Sequence, residues 1–143
     1  MRVAILTVSD SVSRGLAEDR AGPALRRRCQ ELQWDVVGME VVPDEQSVIE
    51  ARLMECADAG LADILLTTGG TGLGPRDCTP EATVAVCTRL IPGLGEVMRQ
   101  KGLQHTPRAV LSRGVAGVRE RSLIVNLPGS PRGAVESLDA VAE

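Results

Sequence analysis

The sequence predicts a three-layer α/β/α protein with a mostly parallel sheet and one antiparallel strand near its C-terminal end. Three observations predict it. Short apolar runs at 2–8, 34–42 and 63–67 alternate with amphipathic stretches of helical length, the pattern of β-α-β units with helices on both faces. The third run leads straight into a glycine-rich loop, Gly69-Gly70-Thr71-Gly72-Leu73-Gly74. Two further short apolar runs, 115–118 and 123–126, lie only a few polar residues apart, as in a hairpin. At 143 residues, without linker, repeat or low-complexity segment, residues 1–143 make one domain of ordinary size.

The elements follow in order. Residues 2–8 form a central buried strand ending at Ser9-Asp10. Asp19 can cap a helix that Pro23 enters in its first turn, with Leu25, Cys29 and Leu32 as its apolar stripe. Arg26, Arg27 and Arg28 are consecutive and fan around that helix as a solvated or subunit-facing surface. Residues 34–42 form a second strand. Asp44 is a natural N-cap for a helix over about 45–59, with Ile49, Leu53 and Cys56 facing inward and Gly60 past its end. Residues 63–67 are the third strand. After the glycine loop, Thr79-Pro80-Glu81 gives a cap hydroxyl, a proline at the first helical position and an acid in the first turn. Ala82, Ala85, Val86 and Leu90 then form one helical face, which Ile91-Pro92-Gly93 breaks. A helix over 94–103 and a short one from Thr106-Pro107 follow. After the hairpin, Leu127 to Pro131 is a second rigid loop, and a last helix begins near Pro131.

Composition excludes several classes. Net charge is −3 with no basic patch, so nucleic acid is not an expected partner. Trp34 is the sole aromatic residue, which removes stacking on bases. No apolar run is long enough to span a membrane, and the N-terminus lacks a signal-peptide pattern, so the expected location is cytoplasmic. Cys29, Cys56, Cys78 and Cys87 have no zinc-ligand spacing and His105 is the only histidine, so they read as reduced, small apolar residues.

The chemistry-bearing residues cluster after the strands. In open α/β sheets ligands sit beyond the carboxyl ends of the parallel strands. Ser9-Asp10, Pro43-Asp44, the glycine loop and Asn126 to Ser130 would emerge there together. A strand, a glycine loop and a helix N-terminus suit phosphate. The carboxylates suit Mg²⁺ carried by a nucleotide. Plainer roles stand beside these: the glycine loop as a tight turn, Asp44 as a helix cap, Ser130 as the cap of the last helix. Asp77 stands two residues before the Thr79 cap and needs no capping role. The loop is neither a Walker A motif, for want of Gly-Lys-Ser/Thr, nor the dinucleotide fingerprint.

Several stretches, in order, resemble the molybdopterin adenylyltransferases, the family of the MogA and MoaB proteins and the G domain of gephyrin. They are Val8-Ser9-Asp10, Asp19 to Gly22, Val42 to Glu45, Thr67 to Gly72, Gly74 to Thr83, Pro92-Gly93 with Glu96 and Arg99, Leu111-Ser112-Arg113, and Leu123 to Pro131. The resemblance implies transfer of AMP from Mg-ATP to the terminal phosphate of molybdopterin, with release of pyrophosphate. It implies Mg²⁺ with ATP, molybdopterin as substrate, a homotrimer, and contact with the molybdenum-insertion enzyme of the pathway. It assigns catalysis to Asp44 and Asp77, with Asp77 the residue linked to the metal. Substrate binding falls to Ser9, Asp10, Thr68, Gly69, Gly70, Thr71, Gly72, Thr79, Asn126, Pro128, Gly129 and Ser130. Cys78 and Glu120 depart from the family's commoner aliphatic residue and glycine. The CinA-like hydrolases share the fold, but their loop lacks the Thr-Gly before Leu-Gly-Pro and the Arg76-Asp77 pair.

Overall fold

The computed structural model describes residues 1–142. Six strands form one sheet in the order β2-β1-β3-β6-β5-β4. They are β1 (Arg2–Val8), β2 (Asp35–Val42), β3 (Ile64–Thr68), β4 (Arg89–Leu90), β5 (Ala116–Arg119) and β6 (Ser122–Leu127). β1 pairs in parallel with β2 and β3, and β3 with β6. β5 is antiparallel to both β6 and β4, so β5 alone runs against the rest. The helices are α1 (Asp10–Ser13), α2 (Ala21–Glu31), α3 (Gln46–Asp58), α4 (Thr79–Val86), α5 (Pro92–Gly102) and α6 (Pro131–Val141), with a 3-10 turn at Pro107–Leu111.

The two-residue period of the strands divides the core. Val3 and Ile5 of β1, Leu66 of β3 and Val125 and Leu127 of β6 pack with Leu25, Met98 and Leu138 of α2, α5 and α6. Leu6, Val8, Leu65 and Ile124 face the other way, onto Ile49 and Leu53 of α3 and Ala82 and Val86 of α4. Both faces are covered, which is why the parallel strands read as nearly continuous apolar runs.

Three local expectations differ from the structure. The helical face drawn through Leu90 is interrupted: α4 ends at Val86, and Arg89–Leu90 is an edge strand on β5. Thr88 N donates to Val118 O at 2.8 Å and Ile91 N to Ala116 O at 2.7 Å, so sheet pairing outcompetes another helical turn. Asp44 does not cap α3. Glu45 holds that position, without a side-chain bond. Thr79 does not cap α4 either; Cys78 holds that position, and Thr79 is the first helical residue. Asp19 does serve α2, its Oδ1 accepting from Gly22 N at 3.0 Å.

Candidate active site

The loops after β1, β2, β3 and β6 do meet at one sheet edge. Ser9 caps α1, its Oγ accepting from Val12 N at 3.3 Å. Asp10 and Asp44 then bind each other reciprocally. Asp10 N donates to Asp44 Oδ2 at 2.9 Å, and Asp44 N donates to Asp10 Oδ1 at 2.9 Å. The Asp44 carboxylate thus belongs to the cleft and not to the helix behind it. Arg76 grips Asp10 with Nε to Oδ2 at 3.0 Å and Nη2 to Oδ1 at 3.1 Å. That guanidinium holds the Asp10 carboxyl below its usual range. Asp44 moves the other way. Burial raises its pKa, and the nearby Asp10 and Asp77 carboxylates add to the rise, against the lowering bond from the Asp10 amide.

The glycine loop is shaped by contacts that no side chain could share. Gly69 has φ +102°, and a Cβ there would run into Val8 O. Gly70 has φ +70°, and its Cβ would strike Thr79 Oγ1 and come within 3.2 Å of Asp44 Oδ1. Thr79 is fully buried, and its hydroxyl has no hydrogen-bond partner in the protein. Its amide closes the loop by donating to Gly70 O at 3.1 Å. Asp77 closes a smaller turn, its Oδ2 accepting from Gly74 N at 2.9 Å. It therefore does carry a local structural duty, which its position two residues before the expected cap concealed. The second loop lies against the first: Gly69 N donates to Leu127 O at 3.1 Å and Thr68 Oγ1 to Pro128 O at 2.6 Å.

Two pockets flank the contact between these loops. The larger, about 380 Å³, is lined by Ser9, Asp19, Arg20, Asp44, Thr68, Gly69, Gly70, Asp77 and Gly129. The smaller, about 190 Å³, is lined by Met98, Arg99, Arg108, Ser112, Asn126, Pro128, Ser130 and Glu136 among others. The expected site residues are thus divided between two chambers. Asp10 stands behind Asp44. Thr71 and Gly72 are turned toward Arg113, which donates to their carbonyls. Asn126 is buried and its amide is spent internally, on Thr67 and Thr83 at 2.9 Å each and on Val115 N at 3.1 Å. It pins the β6 end in place. Ser130 caps α6 through Gly133 N at 3.1 Å and also lines the smaller pocket. Arg76, Arg113 and Ser112 lay within the motifs but were not singled out. A lone arginine beside the one acid of the glycine loop, Arg76-Asp77, is the available signal.

The cysteines are all free, and burial raises each thiol, Cys29 to about 11. A reactive thiolate at Cys78 is thereby disfavoured. Among the described residues, no group of three or more His, Cys, Asp or Glu side chains could by itself hold a metal ion. Mg²⁺ is usually held by one or two carboxylates together with substrate phosphates. Asp44 and Asp77 fit that arrangement: they face one cleft, and their mutual repulsion is felt at Asp44.

The mostly parallel sheet, the glycine loop with Asp44 and Asp77 beside it, and a second adjoining pocket define an α/β protein with two neighbouring binding chambers. Residues 4–143 match the family described as a probable molybdopterin binding domain, and the chain belongs to that family. It is 43% identical over 143 residues to the molybdopterin adenylyltransferase of Helicobacter pylori (strain ATCC 700392 / 26695), covering 99% of this chain and 81% of that one. It is 41% identical over 145 residues to the molybdopterin adenylyltransferase of Escherichia coli (strain K12), covering 100% and 74%. The crystal structure of the molybdopterin biosynthesis enzyme MoaB from Thermus thermophilus superposes with a TM-score of 0.93 at 54% identity, covering 99% and 89%.

Proposed function

We propose that the chain is a molybdopterin adenylyltransferase acting in molybdenum cofactor biosynthesis. One observation carries the reading: the paired carboxylates Asp44 and Asp77 and the glycine loop line one pocket, and a second pocket opens across the Thr68–Pro128 contact. The larger pocket takes Mg-ATP. The Gly70 amide faces the phosphates. Asp44 and Asp77 are the residues that would hold Mg²⁺, directly or through water, and the ion neutralises phosphate charge. The smaller pocket takes the pterin, with Arg99, Arg108 and Ser112 as its polar wall.

In the reaction, a terminal phosphate oxygen of molybdopterin forms a bond to the α-phosphorus of ATP. The bond from that phosphorus to the β-phosphate bridging oxygen breaks, and pyrophosphate leaves. The nucleophile is already ionised near neutral pH, so no general base is needed. The protein's work is to bring two anions together in line and to stabilise the charge that develops. Asp10 and Arg76 hold Asp44 in place from behind.

Incubation with molybdopterin and Mg-ATP should release pyrophosphate and yield adenylyl-molybdopterin. Pterin binding without that product would point to a non-catalytic binder, and ATP hydrolysis without pterin to a hydrolase. Either result would sink the assignment. Asp77→Asn should abolish transfer and leave pterin affinity intact, since Asp77 lies in the other pocket. Assembly as a homotrimer belongs to the same reading, and sedimentation at assay concentration checks it. No helix among the described residues is long and apolar enough to cross a membrane. A cytoplasmic location and contact with a molybdenum-insertion enzyme remain part of the proposal.

A further inference from the structure

We propose that Arg113 is a positioning residue for the transfer: it fixes the glycine loop and Asp77 relative to one another, and so sets the Mg-ATP site from outside it. The inference rests on the function proposed above. Arg113 bonds neither the Asp44 and Asp77 carboxylates nor the Gly69 and Gly70 amides of the larger pocket. It holds the backbone on both limbs of the loop. Its amide donates to Thr71 O at 2.9 Å and its Nε to Gly72 O at 2.8 Å on the rising limb. Its Nη2 donates to Asp77 O at 2.9 Å on the falling limb. Its Nη1 meets Glu81 Oε2 at 2.6 Å, in the first turn of α4.

A guanidinium is the one side chain that can do this. Its planar fork presents fixed donors in different directions, and here they reach two limbs of the loop and the helix that follows. The carbonyl bonds are directional and partly buried. The Glu81 pair is partly exposed, at 35% and 46% of the two side chains, so it contributes little. The support behind Arg113 is independent of the loop. Arg99 Nη1 donates to Gly114 O at 2.8 Å, and Asn126 Oδ1 accepts from Val115 N at 3.1 Å. Ser112 and Gly114, on either side of Arg113, line the smaller pocket. Removing the guanidinium therefore loosens one pocket and leaves the backbone of the other in place.

The test compares Arg113→Met and Arg113→Lys with the unaltered chain, measuring Mg-ATP and molybdopterin binding by calorimetry and initial rates of pyrophosphate release. A displaced reacting group typically costs about ten- to a hundredfold, so Arg113→Met should lose about that much in kcat and about tenfold in Mg-ATP affinity. Its molybdopterin affinity should stay within about twofold. Arg113→Lys keeps the charge without the fork and should recover only part of the loss. In an Asp77→Asn background, adding Arg113→Met should weaken Mg-ATP binding by less than it does in the unaltered chain, because one of the two groups it positions is already gone and only the loop is left to lose. Glu81→Gln should bind and turn over as the unaltered chain does. Unchanged Mg-ATP affinity and kcat in Arg113→Met would overturn the proposal. So would equal losses for both ligands in both Arg113 variants, which is what a general loosening of the fold predicts. Absence of transfer by the unaltered chain would instead overturn the functional reading, so the two failures are separable.

Discussion

At Asp44 the local bonding and the electrostatics pull in opposite directions. The Asp10 amide donates to its carboxylate, yet burial and two neighbouring acids raise its pKa. A carboxyl whose folded pKa is raised binds its proton more tightly in the folded state. Folding stability is therefore greatest when the group is protonated, and falls as pH rises from the unfolded value, near 3.8, through the folded one. Asp44→Asn, which keeps an acceptor for the Asp10 amide, should accordingly be more stable than the native chain at neutral pH and lose transfer activity. Urea melts at pH 7 and pH 4 would check this: the gap between the two proteins should narrow at the lower pH, and a native chain more stable than the variant at pH 7 would refute it. Gly70 makes the complementary case. With φ +70° and Thr79 Oγ1 in the way of any Cβ, Gly70→Ala should destabilise by about 2 kcal/mol or more and abolish Mg-ATP binding in the refolded fraction. Neither role could be read from spacing alone. The Asp44 cap and its functional role were equally open in the sequence, and the partner that decides between them, Asp10, lies 34 residues away. The unpartnered Thr79 hydroxyl likewise depends on a tertiary approach.

Among the elements, the β5–β6 hairpin holds a non-glycine residue in the left-handed region. Arg119 pairs with Ser122 across a two-residue turn, and Glu120 takes φ 52°, in the left-handed region. Glycine is at ease there and an L side chain is not. Arg119 nevertheless anchors the turn, gripping Asp58 at the end of α3 at 2.9 and 3.0 Å and Val86 O at 2.9 Å. Glu120→Gly should therefore stabilise the chain by about 0.5–1 kcal/mol, the left-handed penalty relieved less the added chain entropy of glycine. Chemical denaturation measures it directly, and a lower midpoint at unchanged slope would contradict the strain argument. The hairpin itself was legible from two apolar runs a few residues apart. β4 was not. Leu90 continues the apolar spacing of α4, and only the exposed backbone of β5 converts Arg89–Leu90 into a strand. Short edge elements are set by their neighbours, so local pattern misplaces them. A strand with apolar layers on both faces, such as β1, is placed at its observed bounds for the opposite reason.

For the molecule as a whole, the order of strands places β1, β3 and β6 side by side, and this adjacency brings four separate loops to one edge. Alternating β and α segments, together with the crossover rule, made that convergence readable before any coordinates. The division into two pockets was not readable, because the loops between them meet only through tertiary contacts, Gly69 N on Leu127 O and Thr68 Oγ1 on Pro128 O, the latter between residues 60 apart. The same geometry ties ligand binding to stability. On the function proposed above, Mg-ATP binds only the folded chain, so at a hundred times its Kd it should add about 2.7 kcal/mol, a rise in Tm of roughly 5–10 °C for a chain of this size. With a chelator present, bare ATP brings its phosphate charge against Asp44 and Asp77 with no cation between them, and much of that rise should disappear. In Asp77→Asn one of the repelling charges is gone. The shift with Mg-ATP should be smaller there, and the chelator should matter less. Thermal scans of both proteins, with ATP and with or without chelator, give four values. Equal shifts for the native chain in the two conditions would mean that the carboxylate pair does not meet the phosphates, and would remove the basis for placing ATP in the larger pocket.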